Sequence, residues 1–205
     1  MNPCTLQRLT RRVLPLALAA SLLPHSGGAQ ATGTPTFFAP TRGFGNTEAG
    51  VSVSGGGASG VVGVEGRYGF SLSRSDISMR AGYVDDGNAG SGSFVAGVEA
   101  RIPVIGHNRD FPLDGALVLG VGHLFSDAGG ETLVPLGLSL GRRILLDGRD
   151  LQLTPYVQPT VIFQSDAVFG FGLGLDIHIR GIPDIRLNWA EGDLDGFSAS
   201  LYWSR

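Results

Sequence analysis

From Ala167 to Ile179 every odd position is apolar (Ala167, Phe169, Phe171, Leu173, Leu175, Ile177 and Ile179), while the even positions read Val168, Gly170, Gly172, Gly174, Asp176 and His178, with Arg180 following. Side chains alternate across a β-strand, so this pattern gives one long strand a continuously greasy face and a face that is small and then charged. A helix would wrap the same residues around its axis and separate nothing. Whatever the chain folds into must therefore set two opposite environments on the two sides of a sheet.

The same parity recurs. Leu151, Leu153, Pro155, Val157, Pro159, Val161 and Phe163 oppose Gln152, Thr154, Tyr156, Gln158, Thr160 and Ile162, with two prolines that cost ladder bonds. Ile185, Leu187 and Trp189 oppose Arg186 and Asn188, and Phe197, Ala199, Leu201 and Trp203 oppose Ser198, Ser200 and Tyr202. Upstream, Ile77, Met79, Ala81 and Tyr83 oppose Ser78, Arg80 and Gly82. Phe94, Ala96, Val98, Ala100 and Ile102 oppose Gly97, Glu99 and Arg101. With weaker segments at 48–54, 60–70, 113–125 and 131–143, the expectation is ten strands, eight being the alternative. Clusters such as Asp85-Asp86-Gly87-Asn88 and Gly181-Ile182-Pro183-Asp184 supply the turns. Such short links join antiparallel neighbours, because parallel strands need a crossover of a dozen or more residues. The fold expected is an all-β antiparallel up-and-down meander. Its longest connection, Pro103 to Pro112, carries His107 as a solvated loop residue.

Ahead of the strands, residues 1–29 combine Arg8, Arg11 and Arg12, the apolar run Val13–Leu23 and small residues up to Ala29, the three-part pattern of a secretory signal peptide. An uncleaved anchor is the alternative, disfavoured because no apolar run reaches the ~18 residues a spanning helix needs. Cleavage after Ala29 removes Cys4 with the leader, so the exported chain has no cysteine and no disulfide framework. It also leaves twelve Arg against eighteen acidic residues, a formal charge of −6, and no Lys anywhere. A basic footprint for nucleic acid is absent. Residues 30–47, rich in Pro, Gly and Thr without a period, read as an extended lead-in to a barrel domain over 48–205.

An antiparallel meander can close in water with apolar residues inside, as a soluble lipocalin-like binding barrel, or in lipid with them outside. Only 16% of residues are charged, and the face opposite the apolar one carries Glu65, Arg67, Arg80, Glu99, Arg101, Asp176, His178, Arg180 and Arg186 among Gly and Ser. Lipid outside fits better, because hydrocarbon demands an edge-free ladder and an outward apolar band. The charged set then lines the lumen as a paired network, with Glu48 joining it if the first strand reaches that level, since unpaired buried charge is costly. The lumen expected is narrow and largely occluded, ten strands adding little room over eight, and length excludes a wide general porin. Aromatics near strand ends, Tyr68, Phe70, Tyr83, Phe94, Phe163, Trp189, Phe197 and Trp203, fall where an interfacial girdle lies.

On these features, and on the aromatic close Phe197-Ser-Ala-Ser-Leu-Tyr-Trp203, residues 48–205 resemble bacterial outer-membrane β-barrels of the small eight-to-ten-strand class. The resemblance implies an outer-membrane location, periplasmic termini, outer-membrane lipid as surroundings and the barrel-assembly machinery as a partner during insertion. Members commonly end on an aromatic residue; here Ser204 and Arg205 follow Trp203. The role expected is structural or in small-solute transport, without cofactor, metal or enzymatic activity.

Other chemistries fit these residues less well. Gly122-His123-Leu124-Phe125-Ser126-Asp127 is similar to the His and Ser of barrel lipid A deacylases, but a spacing of three puts His123 and Ser126 on opposite faces, and Glu131 could complete a triad only through loop geometry. His178 beside Asp176 falls short of a zinc site, and the acidic turns lack the spaced oxygens of a calcium loop. The glycine runs open no helix that could receive phosphate.

Overall fold

The computed structural model describes residues 31–41, 47–56, 61–85, 92–126, 129–146, 151–192 and 195–205. The expected leader and the turns at Asp86–Asn88 and Asp193–Leu194 lie outside them. The elements are β1 (Thr47–Gly56), β2 (Val61–Leu72), β3 (Ser75–Asp85), β4 (Gly92–Ile105), β5 (Asp114–Ser126), β6 (Gly129–Gly141), β7 (Ile144–Leu146), β8 (Leu151–Phe163), β9 (Ala167–Ile179), β10 (Asp184–Gly192) and β11 (Gly196–Ser204). Apart from β6 and β7, which follow one another along one line, each strand pairs antiparallel with its sequence neighbours, β1 pairs with β11, and β6 continued by β7 pairs with β8. β6 and β7 share one position, so the sheet closes as a ten-stranded up-and-down barrel.

The parity read from sequence sets the two faces in every strand for which it was assigned. Inward lie Glu48, Ser52, Glu65, Arg67, Ser78, Arg80, Glu99, Arg101, Gln152, Thr154, Arg186, Asn188, Ser198 and Ser200, all buried. Outward lie Val51, Val53, Val64, Met79, Val98, Val121, Leu136, Leu173 and Leu201, all exposed. A water-soluble barrel carries these two sets the other way round. An exposed apolar wall over a polar interior is the arrangement of a transmembrane β-barrel, which excludes the lipocalin-like alternative.

One end of the barrel, here the lower rim, carries Thr47, Ser204 and the strand ends joined by the β2–β3, β4–β5, β7–β8 and β9–β10 connections; the upper rim carries those joined by β1–β2, β3–β4, β5–β6, β8–β9 and β10–β11. Tyr83, Phe94, Phe125, Phe163, Trp189 and Phe197 point outward within a turn of the upper rim, and Tyr68 and Trp203 point outward near the lower.

Four prolines explain where the ladder falters. β8 pairs with β9 straight through Pro155↔Leu175 and Pro159↔Phe171. The N–H each proline lacks would therefore have faced β6. Pairing of β6 with β8 accordingly jumps from Gly137↔Thr160 to Leu140↔Val157, and again from Gly141↔Tyr156 to Ile144↔Leu153, the break that separates β7 from β6. Pro135, paired with Ile162 on β8, leaves a similar jump on its β5 side, from Leu119↔Leu136 to Gly122↔Leu133. Pro103 sits at the bulge between β4 and β5. The ladders from β8 round through β9, β10, β11, β1, β2 and β3 to β4 are unbroken.

Candidate functional site

Residues 31–41, the described part of the extended lead-in, run through the lumen of the barrel. With ~4.8 Å between strands tilted by about 40°, a ten-strand barrel has a backbone radius of about 10 Å against about 8 Å for eight strands. Side chains fill the smaller cylinder. The larger one holds one extended peptide as well, so the expectation that two more strands add little room does not hold.

From the lower rim, Pro40 touches the site of Gly141 and the Ala39 carbonyl accepts a hydrogen bond from Arg101 Nη1 at 2.7 Å. Farther up, Pro35 lies against Gly196 at the upper rim, and a turn brings Ala31 down against Gly97 and Gly122. Ala31, Thr32, Thr34, Thr36, Phe37, Phe38 and Ala39 are all buried. The chain could pass so close only where the wall has no side chain: a Cβ at Gly172 would stand 2.5 Å from the Phe37 ring, and one at Gly122 would collide with the Ala31 carbonyl.

One flank of this plug is held by charge. Arg80, 4% exposed, spans Glu99 at 2.8 Å and Glu65 at 3.8 Å. The same guanidinium donates to Thr36 Oγ1, to the Thr36 carbonyl at 3.2 Å and to Thr32 Oγ1 at 3.4 Å. Thr34 Oγ1 donates to Glu65 Oε2 at 2.8 Å. Arg67 pairs with Glu48 at 3.1 Å, Arg186 grips Asp176 through two bonds of 2.7 and 2.8 Å, and Arg101 grips Asp76 at 3.0 and 2.6 Å. The Phe38 ring stands among three guanidinium carbons, 3.7 Å from Arg67, 4.8 Å from Arg80 and 5.3 Å from Arg186. Arg67 Nε, Arg80 Nε and Arg186 Nη1 make no hydrogen bond. The ring's negative face compensates part of that loss, as cation–π contacts do when desolvated.

The other flank is held by uncharged groups. Phe38 N–H donates to Gln158 Oε1 at 3.1 Å, and Ser139 Oγ donates to the Phe38 carbonyl. Tyr156 Oη lies 3.0 Å from the Phe37 carbonyl, and Ser198 Oγ donates to the Pro35 carbonyl at 3.0 Å. Phe37 itself joins Leu133, Tyr156, Ile162, Val168 and Ala190 in an apolar cluster inside the lumen. Below the plug, a cavity of ≈ 20 Å³ bordered by Thr41, Gln152, Asp176 and Arg186 has room for a single water.

The residues picked from sequence divide accordingly. Glu65, Arg67, Arg80, Glu99, Arg101 and Arg186 are buried in the lumen, with Glu48 among them and Asp176 part-buried on Arg186. His178 sits lower, its Nδ1 on Asp184, which also accepts from Ser204 Oγ at 2.9 Å. Arg180 lies beyond the end of β9, exposed in the turn. Asp76, Tyr202, Gln158, Ser139 and the whole plug were missed. Tyr202 and Gln158 did carry the inward parity, but an uncharged polar residue inside a barrel gives no sign of what it holds.

His123 and Ser126 do not meet. His123 Nδ1 bonds Thr132 Oγ1 at 3.0 Å with its ring edge-on to Phe125, and Ser126 Oγ donates to the Gly129 carbonyl within the hairpin. His107 is exposed and bonded to Asp114 in the β4–β5 connection, as a loop residue should be.

No family model matches the chain, and no curated protein does. Among solved structures it is similar to the β domain of the Bordetella autotransporter Brka, at 15% identity and a TM-score of 0.48, over 78% of this chain and 99% of that one.

Proposed function

We propose that the protein is an outer-membrane barrel with a small-solute pathway that is closed at rest, residues 31–41 being the stopper. The observation that carries this reading is the chemistry of the contact. The stopper is held mainly by hydroxyls, amides and carbonyls against a wall of Ser, Thr, Gln, Asn and ion pairs. Such a wall is able to take water in its place, whereas a purely structural barrel needs only an apolar filling. The leader supports export, and the apolar wall with its aromatic ends supports residence in an outer membrane. Outer-membrane lipid, the assembly machinery during insertion and small solutes are the partners this reading implies.

Planar-bilayer conductance of the chain from Gln30, beside Gly122→Val and beside a chain from Thr47, tests it. The unaltered protein is expected to be silent. Gly122→Val puts a side chain where Ala31 lies and, like the truncation, should give discrete steps that shift in size with Arg80→Ser. Folded but silent barrels in both variants would overturn the transport reading and leave a structural one.

A further inference from the structure

The proline breaks and the stopper meet at one place. Between Gly137↔Thr160 and Leu140↔Val157 the β6–β8 ladder skips Leu138 and Ser139 on β6, opposite Gln158 and Pro159 on β8, although each pair keeps its partners on the outer neighbour, β5 or β9. Ser139 and Gln158 are the two side chains that hold the Phe38 carbonyl and N–H. The backbone of Phe38 thus bridges from β6 to β8 across the gap, one bond to each side. We infer that the β6–β8 ladder is the line along which this barrel opens, and that Phe38 is the latch that keeps it shut.

Two further features agree. The ladder is weakened twice on this interface and once on the next, by prolines whose missing N–H faces the gap, while the ladders from β8 round to β4 are unbroken. From 134 to 141 on β6 and from 156 to 163 on β8 the seam also carries no charged residue. Val134, Leu136, Val161 and Phe163 look outward, and Leu133, Ile162 and Gly137 look inward beside Phe37. Parting these stretches of β6 and β8 would join the apolar part of the lumen to the bilayer interior, a gap suited to a hydrocarbon chain. Opening anywhere between β1 and β4 would instead pull apart Arg67 and Glu48 or Arg80 and its two glutamates.

The inference rests on residues 31–41 being a stopper, and its test reads a different quantity from conductance. Amide hydrogen exchange is followed by mass spectrometry on the full exported chain in lipid vesicles, for the unaltered protein, for Ser139→Ala with Gln158→Ala, and for Pro159→Thr. Loss of the latch is expected to speed exchange at 136–141 and 157–162 by tenfold or more, with 62–70 and 77–84 unchanged. Pro159→Thr, which restores a donor to the gap, should slow the same segments. The chain has no cysteine after Cys4, so Leu136→Cys with Val161→Cys, directly paired and outward, adds a single disulfide that should return protection to the latchless protein. Exchange that rises evenly round the barrel, or a seam that does not respond, overturns the latch even if the truncated chain conducts.

Discussion

Two arcs of one wall solve the same problem differently. From β8 round through β9, β10, β11, β1, β2 and β3 to β4 the backbone ladder is complete, and all seven buried charges of the described residues stand on its inner face. From β4 through β5 and β6 to β8 the ladder is broken at prolines, and β5 and β6 face inward with Ala116, Val118, Gly120, Gly122, Leu133, Pro135, Gly137 and Ser139. A buried ion pair needs its two partners held in register, because misplacing one leaves a charge uncompensated. Complete ladders supply that register. Where the wall carries no charge it can lose backbone bonds, and there it closes on the plug instead.

The largest effect should come from breaking the charged arc. Arg80→Ala leaves Glu65 and Glu99 facing each other in a buried site, a loss of about 3–5 kcal/mol in urea unfolding from vesicles. Arg80→Met combined with Glu99→Gln leaves a single buried carboxylate, Glu65, still held by Thr34 Oγ1, and should recover part of it. If the single and double variants lose the same amount, the arc is held by packing and not by register of charge.

A smaller loss is expected on the other side. Phe37→Ala empties a ring-sized space among Leu133, Ile162 and Val168 and should cost about 3 kcal/mol in the same assay, since large-to-small changes in a core leave a cavity. The smallest change sharpens the contrast. Pro135→Val restores one donor toward β5 and should stabilise by about 0.5–1 kcal/mol, with slower amide exchange at 119–122. No gain would mean that the gap is set by the stopper and not by the proline.

How much of this was legible follows from what a two-residue period encodes. Parity tells which face a residue takes, and a one-residue slip would have inverted every assignment, so runs as long as 167–179 and 151–163 fixed inside and outside together. It put Glu65 and Arg67 on one face of β2, while the register that sets Arg80 across from Arg67 on β3 needed the structure. Periodicity says nothing of a peptide that makes no ladder. Residues 31–41 bind through single contacts to residues such as Arg101, Ser139 and Gln158, far along the chain, and their Thr-Pro-Thr-Phe-Phe sequence has no period to betray them. The prolines of β8 were visible as a cost. Which neighbour would bear it depended on strand order, and that needed the structure.

The pairing of β1 with β11 also governs how such a cylinder can be made. The strand that follows the stopper must wait for the last strand in the sequence before the ring is complete, and Thr47 exchanges backbone bonds with Arg205 at 3.0 and 2.9 Å when it is. Contacts between residues so distant in the chain form late, because the entropy of closing the loop has to be overcome first. A rim only one strand from closure is the widest doorway the stopper will ever meet. Until β11 docks on β1 the cylinder stays open beside the segment that precedes β1, so the segment has room to take its place before the ring is sealed.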